Sequence, residues 1–162
     1  LALGDALAVA LMEAKGFTRD EFAASHPGGS LGRRLLTHVR DVMRTGKEIP
    51  RVPDDASLSA ALLEMSRGRM GMTAIVDAAG RVAGIFTDGD LRRTLERKLD
   101  FTATPIADVM TRGPRTMSPD KLAVEAVQIM EERKVNQMLV VDGTGLLVGA
   151  LNMHDLFRAR VV

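Results

Sequence analysis

The run Gly84-Ile85-Phe86-Thr87-Asp88-Gly89-Asp90-Leu91 decides how the chain is to be read. Sixty-five residues on, Gly149-Ala150-Leu151-Asn152-Met153-His154-Asp155-Leu156 repeats its plan. Working outward at that one offset pairs Ala61 with Ala126, Met65 with Met130, Val76-Asp77 with Val141-Asp142, Gly80 with Gly145 and Arg93 with Arg158. Further upstream Asp41-Val42-Met43 answers Asp108-Val109-Met110 at an offset of 67, so the first copy carries two extra residues there. Matches in one order at one offset mark an internal duplication. The copies span 38–100 and 105–160, preceded by a segment, 1–37, that stands outside the repeat and is expected to be helical over the stripe Leu3, Leu7, Ala10 and Leu11.

Each copy predicts the same elements. An Asp-Val-Met opening leads into an irregular stretch with proline. Leu58, Ala61, Leu62 and Met65, and again Ala123, Ala126, Val127 and Met130, recur at the i, i+3, i+4, i+7 spacing of a helix buried on one face. Ser57 and Ser118 are expected as N-caps, with Pro119 in the first helical position. Two short apolar strands follow, 73–76 with 82–86 and 138–141 with 147–151. They are joined by Asp77-Ala78-Ala79-Gly80 and Asp142-Gly143-Thr144-Gly145, which are turn chemistry. A second helix begins near Asp88 and near Met153. The fold class is therefore α/β (α+β): two β-α-β-β-α units packed about a pseudo-two-fold axis, because about 60 residues alone bury little core.

Composition narrows the function. The 162 residues are 46% apolar and 27% charged, as in a folded globular chain. Absence of Cys excludes disulfides, thiolate metal sites and thiol nucleophiles, and suits a cytoplasmic location. No apolar run reaches the about 18 residues of a membrane span, and no signal-peptide pattern opens the chain. The net charge of +1 and the lack of Trp and Tyr argue against a nucleic-acid binder. Neither a metal-ligand set, a P-loop nor a nucleophile–base pair stands in the repeats. No cofactor is expected to be required. The Leu start implies a piece cut from a longer chain, with processing as the alternative.

The chemistry sits where strand gives way to helix. Thr87 lies at that junction, where amides and the helix dipole favour an anion such as phosphate. Asp90 follows one turn on, and a carboxylate there suits ribose or sugar hydroxyls. Thr-x-x-Asp is equally the pattern of a capping box, in which both residues satisfy amides at the helix start. The second copy has Asn152 in the Thr position, a good cap, with His154 beside it and Asp155 in the place of Asp90. Arg67, Arg69, Arg92 and Arg93 in the first copy, and Arg133, Lys134 and Arg158 in the second, are candidates to neutralise an anion or to form solvated helix faces.

This order of elements resembles the cystathionine-β-synthase (CBS) domain, whose signature Gly-apolar-x-Ser/Thr-x-x-Asp stands at the first junction, while the second departs from it with Asn152 in place of Ser/Thr. The resemblance covers about three quarters of the chain. It implies a tandem CBS pair with ligand clefts between the halves, phosphate and ribose contacts at Thr87, Asp90, Asn152 and Asp155, and base contacts along Met72-Thr73 and Asn136-Gln137-Met138, with Gly71 allowing close approach. The ligand-binding set expected is thus Met72, Thr73, Thr87, Asp90, Arg92, Arg93, Gln137, Asn152, His154 and Asp155, with no metal.

The leading segment adds a second resemblance. Gly4-Asp5-Ala6-Leu7-Ala8-Val9-Ala10-Leu11 and Ser25-His26-Pro27-Gly28-Gly29-Ser30-Leu31-Gly32-Arg33, followed by a CBS pair, are similar to the C-terminal half of D-arabinose 5-phosphate isomerases. Those enzymes fuse a sugar isomerase (SIS) domain to a CBS pair and make the precursor of Kdo, a sugar of lipopolysaccharide and some capsules. The resemblance gives 1–37 as the tail of the SIS domain and His26 as an active-site residue of the parent. The chain alone is expected to be inactive. It also implies a small regulatory ligand, AMP, ATP or CMP-Kdo, and a homo-oligomer, with a purely structural oligomerisation module as the alternative. A CBS-pair dimer would pack on positions such as Leu95, Leu99, Leu156 and Phe157, and the parent would form a tetramer.

Overall fold

The structure, a computed structural model, describes residues 36–161. The expected SIS tail, residues 1–35 of the leading segment with His26, lies outside the described residues. The first half contains β1 (Arg51–Pro53), α1 (Leu58–Gly68), β2 (Met72–Val76), β3 (Val82–Thr87) and α2 (Asp88–Glu96). Beyond a single 3-10 turn at Ile106–Asp108 come β4 (Thr111–Arg112), β5 (Thr116–Met117), α3 (Ala123–Arg133), β6 (Gln137–Val141), β7 (Leu147–Asn152) and α4 (Met153–Arg158).

In each half a parallel pair is joined by a crossover helix, then a hairpin returns antiparallel. β1 lies parallel to β2 and β2 antiparallel to β3; β5, β6 and β7 repeat this. Both hairpins carry a register shift at the same place, between Ile75 and Val76 and between Val140 and Val141. The Asp side chains of the turns hold them. Asp77 Oδ1 accepts from the amides of Ala79 and Arg81, and Asp142 Oδ1 from those of Thr144 and Leu146. Gly80 and Gly145 take φ of 79° and 85°, which an L side chain adopts only under strain.

Ser57 caps α1 as expected, its side chain accepting from the Ala60 amide. Ser118 does not cap α3. Its hydroxyl accepts from the Asp120 amide in a turn, and Pro119 also stays outside the helix, which begins at Ala123 behind Leu122. The reason is tertiary: the Ala123 amide donates to the Thr37 carbonyl and Leu122 bridges to His38, so an incoming strand-like segment sets the start of the helix.

That segment reveals an exchange between the halves. Each Asp-Val-Met opening packs on the other copy. Val39 and Met43 join the core of α3, β6, β7 and α4, while Ile106 and Met110 join that of α1, β2 and β3. Correspondingly, β4 pairs with β3 through Ile85 and Thr111, and Arg44 bridges to Ala150. The junction glycines make this possible. A Cβ on Gly84 would sit 2.5 Å from Met110 Sδ, and one on Gly149 would strike Met43 Sδ. Between the sheets lies a shared core of Ile49, Met70, Met72, Ala74, Ile85, Leu139, Leu147 and Ala150. β2 alternates Met72 and Ala74 into this layer with Thr73 and Ile75 towards the helices. Both of its faces are buried, so its sequence is almost all apolar.

Candidate functional site

The exchange builds two related clefts. The first, about 330 Å³, opens beside the β3–α2 junction and is lined by Thr87, Asp90, Arg93, Thr111, Arg115, Arg133 and Gln137, with Ile85, Pro114, Val135 and Met138 as its apolar part. The second, about 570 Å³, opens beside the β7–α4 junction and is lined by Met43, Arg44, Arg67, Gly68, Asp155 and Arg158, with Asp41, Val42, Glu48 and Ala159.

At the first cleft the capping and binding readings describe the same atoms. Asp90 Oδ2 accepts from the Thr87 amide at 2.8 Å and from the Thr87 hydroxyl at 2.7 Å. Oδ1 accepts from Arg93 Nη2 and from the Thr111 hydroxyl, the latter at 2.8 Å. The carboxylate is 4% exposed and fully partnered, whereas Arg93 is 66% exposed and free to swing. A ligand hydroxyl therefore reaches Oδ1 by taking the place of Arg93 or Thr111, while Oδ2 stays committed to the cap. The capping box also takes up the Thr87 and Asp90 amides at the head of α2 and sets Asp88 and Asp90 there. An anion meets less repulsion at Arg115 and Arg133, neither of which has a carboxylate partner among the described residues.

At the second junction Asn152 and Asp155 form the same box, with Asp155 donating its amide to Asn152 Oδ1 at 2.9 Å. Here the carboxylate is held by Arg44: Nε lies 3.2 Å from both oxygens and Nη2 3.1 Å from Oδ1, while Nη1 donates to the Gly68 carbonyl at 2.9 Å. Arg44 stands where Thr111 stands in the first cleft, each following its Asp-Val-Met.

The expected residues divide accordingly. Thr87, Asp90, Arg93 and Gln137 meet in the first cleft, and Asp155 lines the second. Met72 lies in the shared core, and Thr73 is fully buried with its hydroxyl donating to the Ala61 carbonyl at 3.0 Å. Arg92 and His154 are exposed on α2 and α4, outside the cleft linings, and Asn152 serves as a cap. Gln137 Nε2 reaches the Gly71 carbonyl at 3.4 Å, across the two halves. The sequence-level grouping of arginines is crossed. Arg133 of the second copy serves the first cleft, and Arg67 of the first serves the second. Thr111, Arg115 and Arg44 were not foreseen. The 67-residue offset aligns Arg44 with Thr111, but only the exchange tells which cleft each enters.

A family model described as "CBS domain" matches residues 39–97 and 106–162. The chain belongs to the CBS-domain family. The CBS pair has the fold of CBSX2 in complex with AMP, at 23% identity and a TM-score of 0.65, over 76% of this chain and 95% of that one. Over all 162 residues it is 54% identical to the arabinose 5-phosphate isomerases KdsD of Yersinia pestis and of Pseudomonas aeruginosa, of which it covers 49% and 50%. The chain thus spans about half the length of the curated relatives it matches. In the described CBS pair no group of three or more His, Asp or Glu is placed to hold a metal, and no helix is long and apolar enough to cross a membrane.

Proposed function

We propose that this CBS pair is the regulatory half of an arabinose 5-phosphate isomerase, binding a nucleotide or nucleotide-sugar in its first cleft and biasing the isomerase through that binding. The relatives' names support the enzyme, and the observation that carries the ligand class is the grouping in one cleft of Asp90, a strip of Ile85, Val135, Pro114 and Met138, and Arg115 with Arg133. The strip suits a flat base, Asp90 suits ribose hydroxyls, and the two arginines suit phosphate or carboxylate. AMP has these three parts, and CBSX2, which shares the fold, is in complex with AMP. ATP extends the anionic part. CMP-Kdo adds a sugar carboxylate, which gives Arg115, Arg133 and Arg93 a second anion to hold. The isomerase reaction interconverts ribulose 5-phosphate and arabinose 5-phosphate, and the 162-residue chain alone is expected to show no such turnover in an isomerase assay. Regulation requires the ligand to prefer one of two arrangements of the whole enzyme, since equal affinity shifts nothing.

Thermal titration with AMP, ATP and CMP-Kdo tests the ligand class. A ligand at a hundred times its Kd adds about 2.7 kcal/mol, or roughly 5–10 °C for a domain of this size. Asp90→Asn keeps the cap acceptor Oδ in shape but removes the charge, and is expected to abolish the shift. No response to any of the three overturns the reading.

A second reading, assembly with another copy, draws on Leu95 and Phe157, which are 54% and 58% exposed on α2 and α4. Leu156, also expected in such a contact, is buried in the core of the second half instead. Loss of the oligomer on Leu95→Asp with Phe157→Asp, read by sedimentation, supports that reading.

A further inference from the structure

We infer that Arg44 is a built-in occupant of the second cleft, so that the chain holds one ribosyl ligand and not two. The inference rests on the nucleotide reading of the first cleft, and the comparison of the two clefts carries it. Where Thr111 offers Asp90 a hydroxyl that turns aside readily, Arg44 offers Asp155 a guanidinium on both oxygens and spans on to the Gly68 carbonyl. Its own backbone is fixed: the Arg44 amide donates to the Ala150 carbonyl at 2.8 Å, and the Ala150 amide returns the bond at 3.1 Å.

The Arg44 side chain is 23% exposed and Asp155 8%, so their separation would strand a nearly buried carboxylate. In the first cleft the cation on the equivalent carboxylate is Arg93, near the helix surface and exposed. Arg158, the counterpart of Arg93, lines the second cleft but is not on Asp155, because Arg44 has taken that position. A ribose diol thus finds an exchangeable partner on Asp90 and an anchored one on Asp155. Cleft size gives the opposite order, since the second is the larger; the state of its carboxylate, not its volume, closes it to a ribosyl ligand.

Calorimetric titration with AMP, and with CMP as a second probe, tests the inference by stoichiometry. The unaltered chain is expected to bind one equivalent, lost in Asp90→Asn. Arg44→Thr, which installs the residue of the first cleft, is expected to bind two, and Arg44→Thr with Asp155→Asn to return to one. Two equivalents in the unaltered chain, or one in both the unaltered chain and a folded Arg44→Thr, overturns the inference. No binding of AMP or CMP by the unaltered chain, with no response to ATP or CMP-Kdo either, overturns the nucleotide reading; a gain of one equivalent on Arg44→Thr even then upholds the role of Arg44, and no gain removes both. Nitrogen-detected exchange of the Arg44 Nε–H in the unaltered chain gives an answer independent of any variant's folding. Slow exchange relative to Arg92 is expected, and exchange as fast as that of Arg92 overturns the inference.

Discussion

At the scale of single residues, the two glycines that open the repeated runs carry more of the architecture than the charged residues that follow them. Gly84 and Gly149 leave room for Met110 and Met43, each arriving from the other copy, and for the backbone of Thr111 and Arg44. Gly84→Ala and Gly149→Ala are each expected to destabilise by about 1–3 kcal/mol through overpacking, read as a lower denaturant midpoint at unchanged slope. The hairpin turns predict a pH effect. The Thr144 hydroxyl, followed by the Thr144, Leu146 and Gly145 amides, holds the Asp142 carboxyl below the usual aspartate range. A carboxyl with a lowered folded pKa stabilises above its unfolded pKa, and that contribution fades as pH falls through the folded value. Asp142→Asn should therefore flatten the fall in denaturant midpoint between about pH 5 and pH 2. An unchanged slope would show that the turn contributes nothing to acid stability.

At the scale of elements, helices and strands were legible where local pattern and tertiary demand agreed. The i, i+3, i+4, i+7 stripes of α1 and α3 end in the same stop, a left-handed Arg69 and Lys134 with φ of 50° and 54°. The serines show where local pattern failed. Ser57 accepts an amide at the head of α1, whereas Ser118 sits four residues ahead of the α3 cap, Leu122. Ser57→Ala is expected to cost about 1 kcal/mol and Ser118→Ala a few tenths, measured by chemical denaturation. Equal losses would contradict this assignment of the caps. The site was legible in a similar measure. Thr87, Asp90, Arg93 and Gln137 stand on elements whose order is plain from the repeat. Thr111 and Arg44 occupy stretches with no periodicity, and only long-range pairing brings them to a cleft. Met72 and Thr73 were misplaced because a strand covered on both faces shows no alternation to tell a lining position from a core one.

At the scale of the molecule, neither half completes its own core. The first needs Ile106 and Met110, and the second needs Val39 and Met43. A chain limited to residues 38–100 is therefore expected to lack a cooperative thermal transition as a monomer, while the pair melts in one step, as calorimetry would show. A sharp transition in a monomeric 38–100 would refute the interdependence of the halves.

The exchange also says something of how such a pair arises. Two separate copies of one repeat, trading their opening segments, would reproduce these contacts as a symmetric homodimer, so the tandem chain amounts to that dimer with its subunits joined end to end. In the unjoined form a single codon would set the residue above both carboxylates. Joining frees those positions to differ, and here one carries a threonine while the other carries an arginine. Symmetry of the fold is kept, and equivalence of its two mouths is given up.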